Sequence, residues 1–126
     1  MQITIPIDPR TKKNHSQIIY SKGRPMLIPS KQYQEYTKQA KEYINAGECI
    51  DYPINLECHF YMKTRRKVDL TNLLQAVCDI LVESKVISDD NYNIIRSVDG
   101  SRVYYDKENP RTEIRITRCD DESDMG

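Results

Sequence analysis

A chain of 126 residues, 38% hydrophobic and 30% charged, fits one soluble globular domain with a modest core. It has no run of about 18 apolar residues and no basic-then-apolar start, so neither a membrane span nor a secretory signal is expected. Nineteen Lys and Arg balance nineteen Asp and Glu, yet the tail CDDESDMG holds four of the acids and the first 67 residues hold 12 cations against 6 acids. A basic N-terminal half suits a polyanionic partner, although a solvated surface also explains it. The tail reads as a disordered, solubilising end.

In chain order, QITIPI alternates and reads as a strand that Asp8-Pro9 ends. Residues 10–29 form a long connection in which IIY and MLI can pair as a hairpin across Gly23. Ser30 is a good N-cap for a helix over KQYQEYTKQAKEYINA, with Gly47 as its stop. Tyr33, Tyr36, Ala40, Tyr43 and Ile44 recur at helical spacing, a pattern expected of a packing face rather than a base-stacking platform. Ile54, Leu56, Cys58, Phe60 and Met62 alternate with Asn55, Glu57, His59, Tyr61 and Lys63, which predicts a half-buried strand with His59 on its surface side. A helix follows the basic run KTRRK. Strand signals return in NIIRSV and SRVYYD, broken by Asp99-Gly100 as a turn or bulge, and TEIRIT is a last strand with Ile114 and Ile116 inward. Interleaved helices and strands predict a single α/β or α+β domain.

Cys49, Cys58, Cys78 and Cys119 form no C-x-x-C pair. The spacing of Cys49, Cys58 and His59 fits no zinc ribbon or finger, so reduced thiols in a cytoplasmic protein are expected.

The central segment, Arg65 to Asp90, reads RRKVDLTNLLQAVCDILVESKVISDD. Leu70, Leu73, Leu74, Val77, Ile80 and Leu81 form one helical face, with Asp69, Asn72, Asp79 and Glu83 opposite. Asp79 lies about 15 Å along the axis from Asp69, too far for both to ligate one ion. Asp69 has an alternative role as N-cap, and Asp89-Asp90 has one as a turn opener.

This segment resembles the signature of the RusA family of Holliday junction resolvases, R-x-D-x-D-N-L-x-K-A-x-x-D-A-L followed after a short interval by an apolar pair and D-D. The matching residues are Asp69, Asn72, Leu73, Ala76, Asp79, Leu81, Asp89 and Asp90, with Arg66 one position further from Asp69 than the arginine of the pattern. The likeness extends less specifically through the first strand, the polar loop with Lys12, Lys13 and Asn14, the SKQYQEY helix start and the NPRTEIRI end. It covers residues 1–118 as one domain, with 119–126 as the tail.

The resemblance implies a RusA-like mixed sheet of about four strands with two main helices. It implies a homodimeric, magnesium-dependent endodeoxyribonuclease that cuts four-way DNA junctions symmetrically in recombination and repair. Asp69 and Asp90 would be its catalytic, metal-binding carboxylates, with Asp89 a further candidate ligand and Mn²⁺ an alternative ion. Lys12, Lys13, Lys63, Arg65, Arg66 and Lys67 would contact DNA, with Lys22 and Arg24 beside Lys12 and Lys13 in a second phosphate patch.

Two positions depart from the pattern. Thr71 stands where the motif has its second acid and Gln75 where it has lysine. A neutral hydroxyl binds Mg²⁺ weakly and an amide brings no cation to a phosphate. Both changes favour weaker metal binding and slower chemistry, so a junction-binding protein with weakened or lost activity is the competing reading. An unrelated α/β interaction domain is a third.

Overall fold

The computed structural model describes residues 1–12 and 16–119; Lys13, Asn14 and the acidic tail from residue 120 lie outside the described residues. Nine elements follow in order: β1 (Gln2–Ile5), β2 (Ser16–Ser21), β3 (Arg24–Pro29), α1 (Lys31–Lys41), β4 (Ile54–Met62), α2 (Leu70–Glu83), β5 (Ile95–Ser97), β6 (Arg102–Tyr105) and β7 (Arg111–Arg118). The main sheet has five strands rather than about four. Antiparallel partners run β1–β7–β4, while β5 and β6 both pair parallel with the other edge of β4. Parallel pairing needs a crossover, and α2 supplies the one from β4 to β5. The result is a small mixed α+β domain.

Strand β4 organises the molecule because its alternation is strict. Ile54, Leu56, Cys58, Phe60 and Met62 are buried, and α2 covers them with Leu73, Val77, Ile80 and Leu81. Each such side chain contributes about 1.5–3 kcal/mol on burial. Ile114 and Ile116 of β7, Ile3 and Ile5 of β1, and Tyr33, Tyr36 and Ala40 of α1 complete the core. The tyrosine stripe is therefore a packing face, apart from Tyr43, which is exposed.

Helix α1 ends at Lys41 rather than running to residue 46. Its last bonds tighten to i→i−3, from Glu42, Tyr43 and Ile44 to the carbonyls of Gln39, Ala40 and Lys41. This tightening turns Ile44 into the core and leaves Tyr43 outside.

The polar side of β4 is half-buried rather than surface. His59 lies between Glu57 Oε2 (2.5 Å) and the Tyr104 hydroxyl (2.9 Å), and Tyr61 stacks on Tyr104 at 4.7 Å. Asp99-Gly100 interrupts the edge formed by β5 and β6. Asn55 fills the interruption, accepting from Asp99 N (2.8 Å) and the Ser97 hydroxyl while donating to Asp99 O (3.2 Å). Gly100 has φ +88°, a conformation that favours glycine, and a Cβ there would lie 3.0 Å from Glu57 Cδ and oblige that side chain to shift.

Cys58 is buried in the core face of β4, whereas His59 points to the other face and Cys49 is exposed. These three cannot converge on zinc, and the cysteines are free thiols. No described helix is long and apolar enough to cross a membrane.

Candidate active site

The site is assembled on the exposed side of α2, the side that its apolar face leaves outward. Residues 63–67 lead into it and are all exposed. Lys63 N donates to Asp8 Oδ1 (3.0 Å), the Arg66 guanidinium reaches the Pro9 carbonyl (3.4 Å), and Arg65 lies 4.0 Å over the Tyr105 ring. The basic run is thus tied at three points to neighbouring segments, with Lys67 immediately before the helix.

Asp69 occupies the N-cap position with extended backbone (φ −89°, ψ 129°), but its side chain makes no capping bond to backbone N–H. Its carboxylate instead accepts from the Asn72 amide at 3.1 Å. Capping is therefore not what this carboxylate does, and Asn72 orients it at the outer end of the helix.

After α2 the chain turns sharply. Lys85 adopts a left-handed φ of 61°, and Val86 N bonds back to the Leu81 carbonyl (2.9 Å). Val86 and Ile87 are buried, and Ile87 bridges in parallel to Ile50, with Ser88 N donating to Ile50 O. This apolar anchor returns Asp89 and Asp90 to the exposed side of α2. There the Gln75 amide donates to both Asp79 Oδ1 (2.9 Å) and Asp90 Oδ2 (3.2 Å). The two carboxylates are separated by no more than the sum of those distances. Gln75 lies in the second turn of α2, about 9 Å along the axis from Asp69. Asp90 thus docks beside the second turn, not the first.

Asp89 behaves differently. One of its oxygens accepts from Asp90 N (2.7 Å) and the other from the Asn91 amide (3.1 Å). Both bonds close the loop on itself, so Asp90 is the carboxylate presented to the helix.

Thr71, Gln75 and Asp79 recur at i, i+4 and i+8 and so line one stripe of α2. Asp79 also borders a cleft of about 190 Å³ between the helices, lined by Lys12, Tyr33, Gln34, Thr37 and Glu83 as well. Lys12, expected to contact DNA, is exposed there on the same side of the molecule as Asp79. Burial, then the charges of Asp79 and Glu83, raises the Tyr33 hydroxyl above the ordinary tyrosine range. Burial, then Asp90 and Asp79, pushes the Cys78 thiol up to about 11, so it is protonated near neutrality and is no nucleophile.

Among the described residues no three His, Cys, Asp or Glu side chains form a metal-holding cluster. The donors present on this side of α2 are hard carboxylate oxygens, Asp69 at the start of the helix and Asp79 and Asp90 brought together by the Gln75 N–H donors further along it. That donor chemistry fits magnesium, which takes one or two carboxylates and keeps several waters.

The model of a family described as Endodeoxyribonuclease RusA matches residues 6–117. The chain belongs to the RusA family. A similar relative is the crossover junction endodeoxyribonuclease RusA of Aquifex aeolicus (strain VF5), 36% identical over 45 residues. That match spans 36% of each chain, so only about a third of the relative's length is covered. The RusA match takes in the whole of α2 and the loop that carries Asp90.

Sequence reasoning missed Gln75 as a bridge. It counted the residue only as a lost lysine, because its second partner comes from a loop fifteen residues away.

Proposed function

We propose that this protein is a metal-dependent, structure-specific endodeoxyribonuclease that resolves four-way DNA junctions. It acts as a cytoplasmic homodimer in DNA recombination and repair. The observation that carries this reading is the return of Asp90 to the exposed face of α2, the helix that Asp69 opens, directly behind the basic run 63–67. Membership of the RusA family supports the reaction class.

Asp69 and Asp90 would hold magnesium or manganese, and the ion supplies charge neutralisation at the scissile phosphate and a more acidic attacking water. Asn72 holds the Asp69 carboxylate in place, and Gln75 holds that of Asp90. Asp89 closes the loop and serves Asp90 through the backbone. Lys63, Arg65, Arg66, Lys67 and Lys12 offset the repulsion between this acidic site and DNA phosphates. Such contacts position the backbone without reading bases, which suits recognition of a shape. A junction presents two equivalent scissile phosphates, so paired cuts need two sites related by a two-fold axis.

Thr71 and Gln75 favour a second reading, a junction-binding protein with weakened or no cleavage. The purified protein should be mixed with a synthetic four-way junction and with linear duplex, with and without Mg²⁺ or Mn²⁺. Metal-dependent cleavage of the junction alone supports the proposal. Tight junction binding without cleavage supports the second reading. Neither binding nor cleavage removes both.

A further inference from the structure

Strands β2 and β3 form a two-stranded sheet of their own, with six residues in each strand. Neither strand makes more than marginal contact with any other described helix or strand. At about 3.4 Å per residue the hairpin reaches roughly 20 Å. Lys22 (φ 53°) and Gly23 (φ 77°) form its two-residue turn between Ser21 and Arg24. Two successive positive φ values are those of the turn that matches strand twist, so the register is pinned at the tip.

The composition of this arm is one-sided. Residues 16–29 contain Lys22 and Arg24 and no acid. Tyr20 is paired in register with Pro25 just behind the turn, and it is 76% exposed; Met26 is 47% exposed. An isolated hairpin in water is marginal. This one makes at most marginal contact with the other described elements and leaves an aromatic ring in solvent.

We propose that the β2–β3 arm is the junction-sensing element of the protein, with Tyr20 stacking on a base at the open centre of a four-way junction while Lys22 and Arg24 hold the flanking phosphates. This rests on the reading above that the protein acts on junctions. The charge pattern favours DNA over a second copy of the chain, because a two-fold contact between such tips would set cations against cations. An aromatic ring stacks on any base, so the contact is tolerant of sequence. In continuous duplex both faces of each inner base pair are already covered, and insertion must first unstack a step. At a branch point the crossover pairs can offer a face without that cost. A ring at the tip of a long basic arm therefore discriminates a branch from a linear helix, which the phosphate contacts alone do not.

The test is equilibrium binding of full-length protein, in EDTA to prevent cleavage, to a fluorescent four-way junction and to linear duplex of the same sequence. A second junction carries 2-aminopurine at the crossover to report stacking. Tyr20→Ala should lose about 5- to 100-fold in junction affinity, leave duplex affinity unchanged and abolish the 2-aminopurine response. Tyr20→Phe should retain all three parent properties. Since Tyr20 is exposed, circular dichroism should show both variants folded as the parent.

A Tyr20→Ala protein that still prefers the junction as the parent does overturns the proposal. So does an equal loss on junction and duplex, or a change in oligomeric state by light scattering, which would assign the arm to a second copy. A parent protein with no preference for junctions overturns the functional reading itself, and with it the role of the arm.

Discussion

Gln75 is the residue whose removal tests the geometry of the site most sharply. Its amide is the described link from α2 to the Asp90 carboxylate, at 3.2 Å, with a second bond to Asp79 at 2.9 Å. A hydrogen bond to a charged group is ordinarily worth about 1.5–3 kcal/mol. These side chains are exposed, so screening and water competition reduce the figure to roughly 0.5–1 kcal/mol each. Only the Asp90 bond crosses to the loop, since Asp79 lies on α2 itself, so Gln75→Ala should weaken docking of the 88–93 loop by about 0.5–1 kcal/mol, a factor of about 2–5 in its open population. Helix α2 itself should not suffer, because alanine is the better helix former.

Amide hydrogen exchange reads this directly. The amides of Asp90, Asn93 and Ile94, which bond within the loop, should exchange about 2–5 times faster in the variant. Ser88, which bonds to Ile50 on the buried side of the same turn, serves as the internal control and should keep its rate. If the loop amides exchange at the parent rate, the apolar anchor of Val86 and Ile87 holds Asp90 unaided. The positioning role of Gln75 would then be wrong.

Three further outcomes are expected. Thr71→Asp adds a carboxylate in the first turn of α2, where the helix dipole favours it by about 0.3–1 kcal/mol, so thermal stability should hold while calorimetry detects tighter Mg²⁺ binding; unchanged affinity would place the ion elsewhere. Lys67→Ala should weaken binding to junctions of any sequence and flatten the slope of log affinity against log salt by roughly 0.9, whereas an unchanged slope returns Lys67 to a solvated loop; Arg66 is a poorer probe because it also ties the loop to Pro9. Light scattering at micromolar concentration should give a dimer, and a monomer both with and without DNA would count against paired cutting.

Much of the fold was legible because its periodicities are clean. The period-two run of β4 and the apolar stripe of α2 each specify one buried face, and those two faces meet in the core. The hairpin at Gly23 was legible for a local reason, since glycine follows a lysine that also takes positive φ. What escaped depended on distance in sequence. Nothing in SVDGS says that β5 and β6 share one edge of β4, because Asn55 supplies the bonds that bridge the gap from 42 and 44 residues away. His59 alternates as a surface residue would, yet Tyr104 and Glu57 enclose it.

Asp69 and Asp90 were singled out as site candidates only through the resemblance. As isolated residues they read more readily as a cap and a turn opener. The hydrogen bonds bear on those local roles. Asp69 makes no capping bond, and it is Asp89, not Asp90, whose oxygens close the turn.

The central claim is that these two carboxylates run the hydrolysis, and Asp69→Asn and Asp90→Asn test it most directly. Asparagine is nearly isosteric and caps a helix about as well as aspartate, so both variants should fold and bind a four-way junction as tightly as the parent, or more tightly with less anionic repulsion. In Mg²⁺, on a denaturing gel, the parent should release paired products from the junction while neither variant cuts. Junction cleavage by both variants at the parent rate would contradict the assignment.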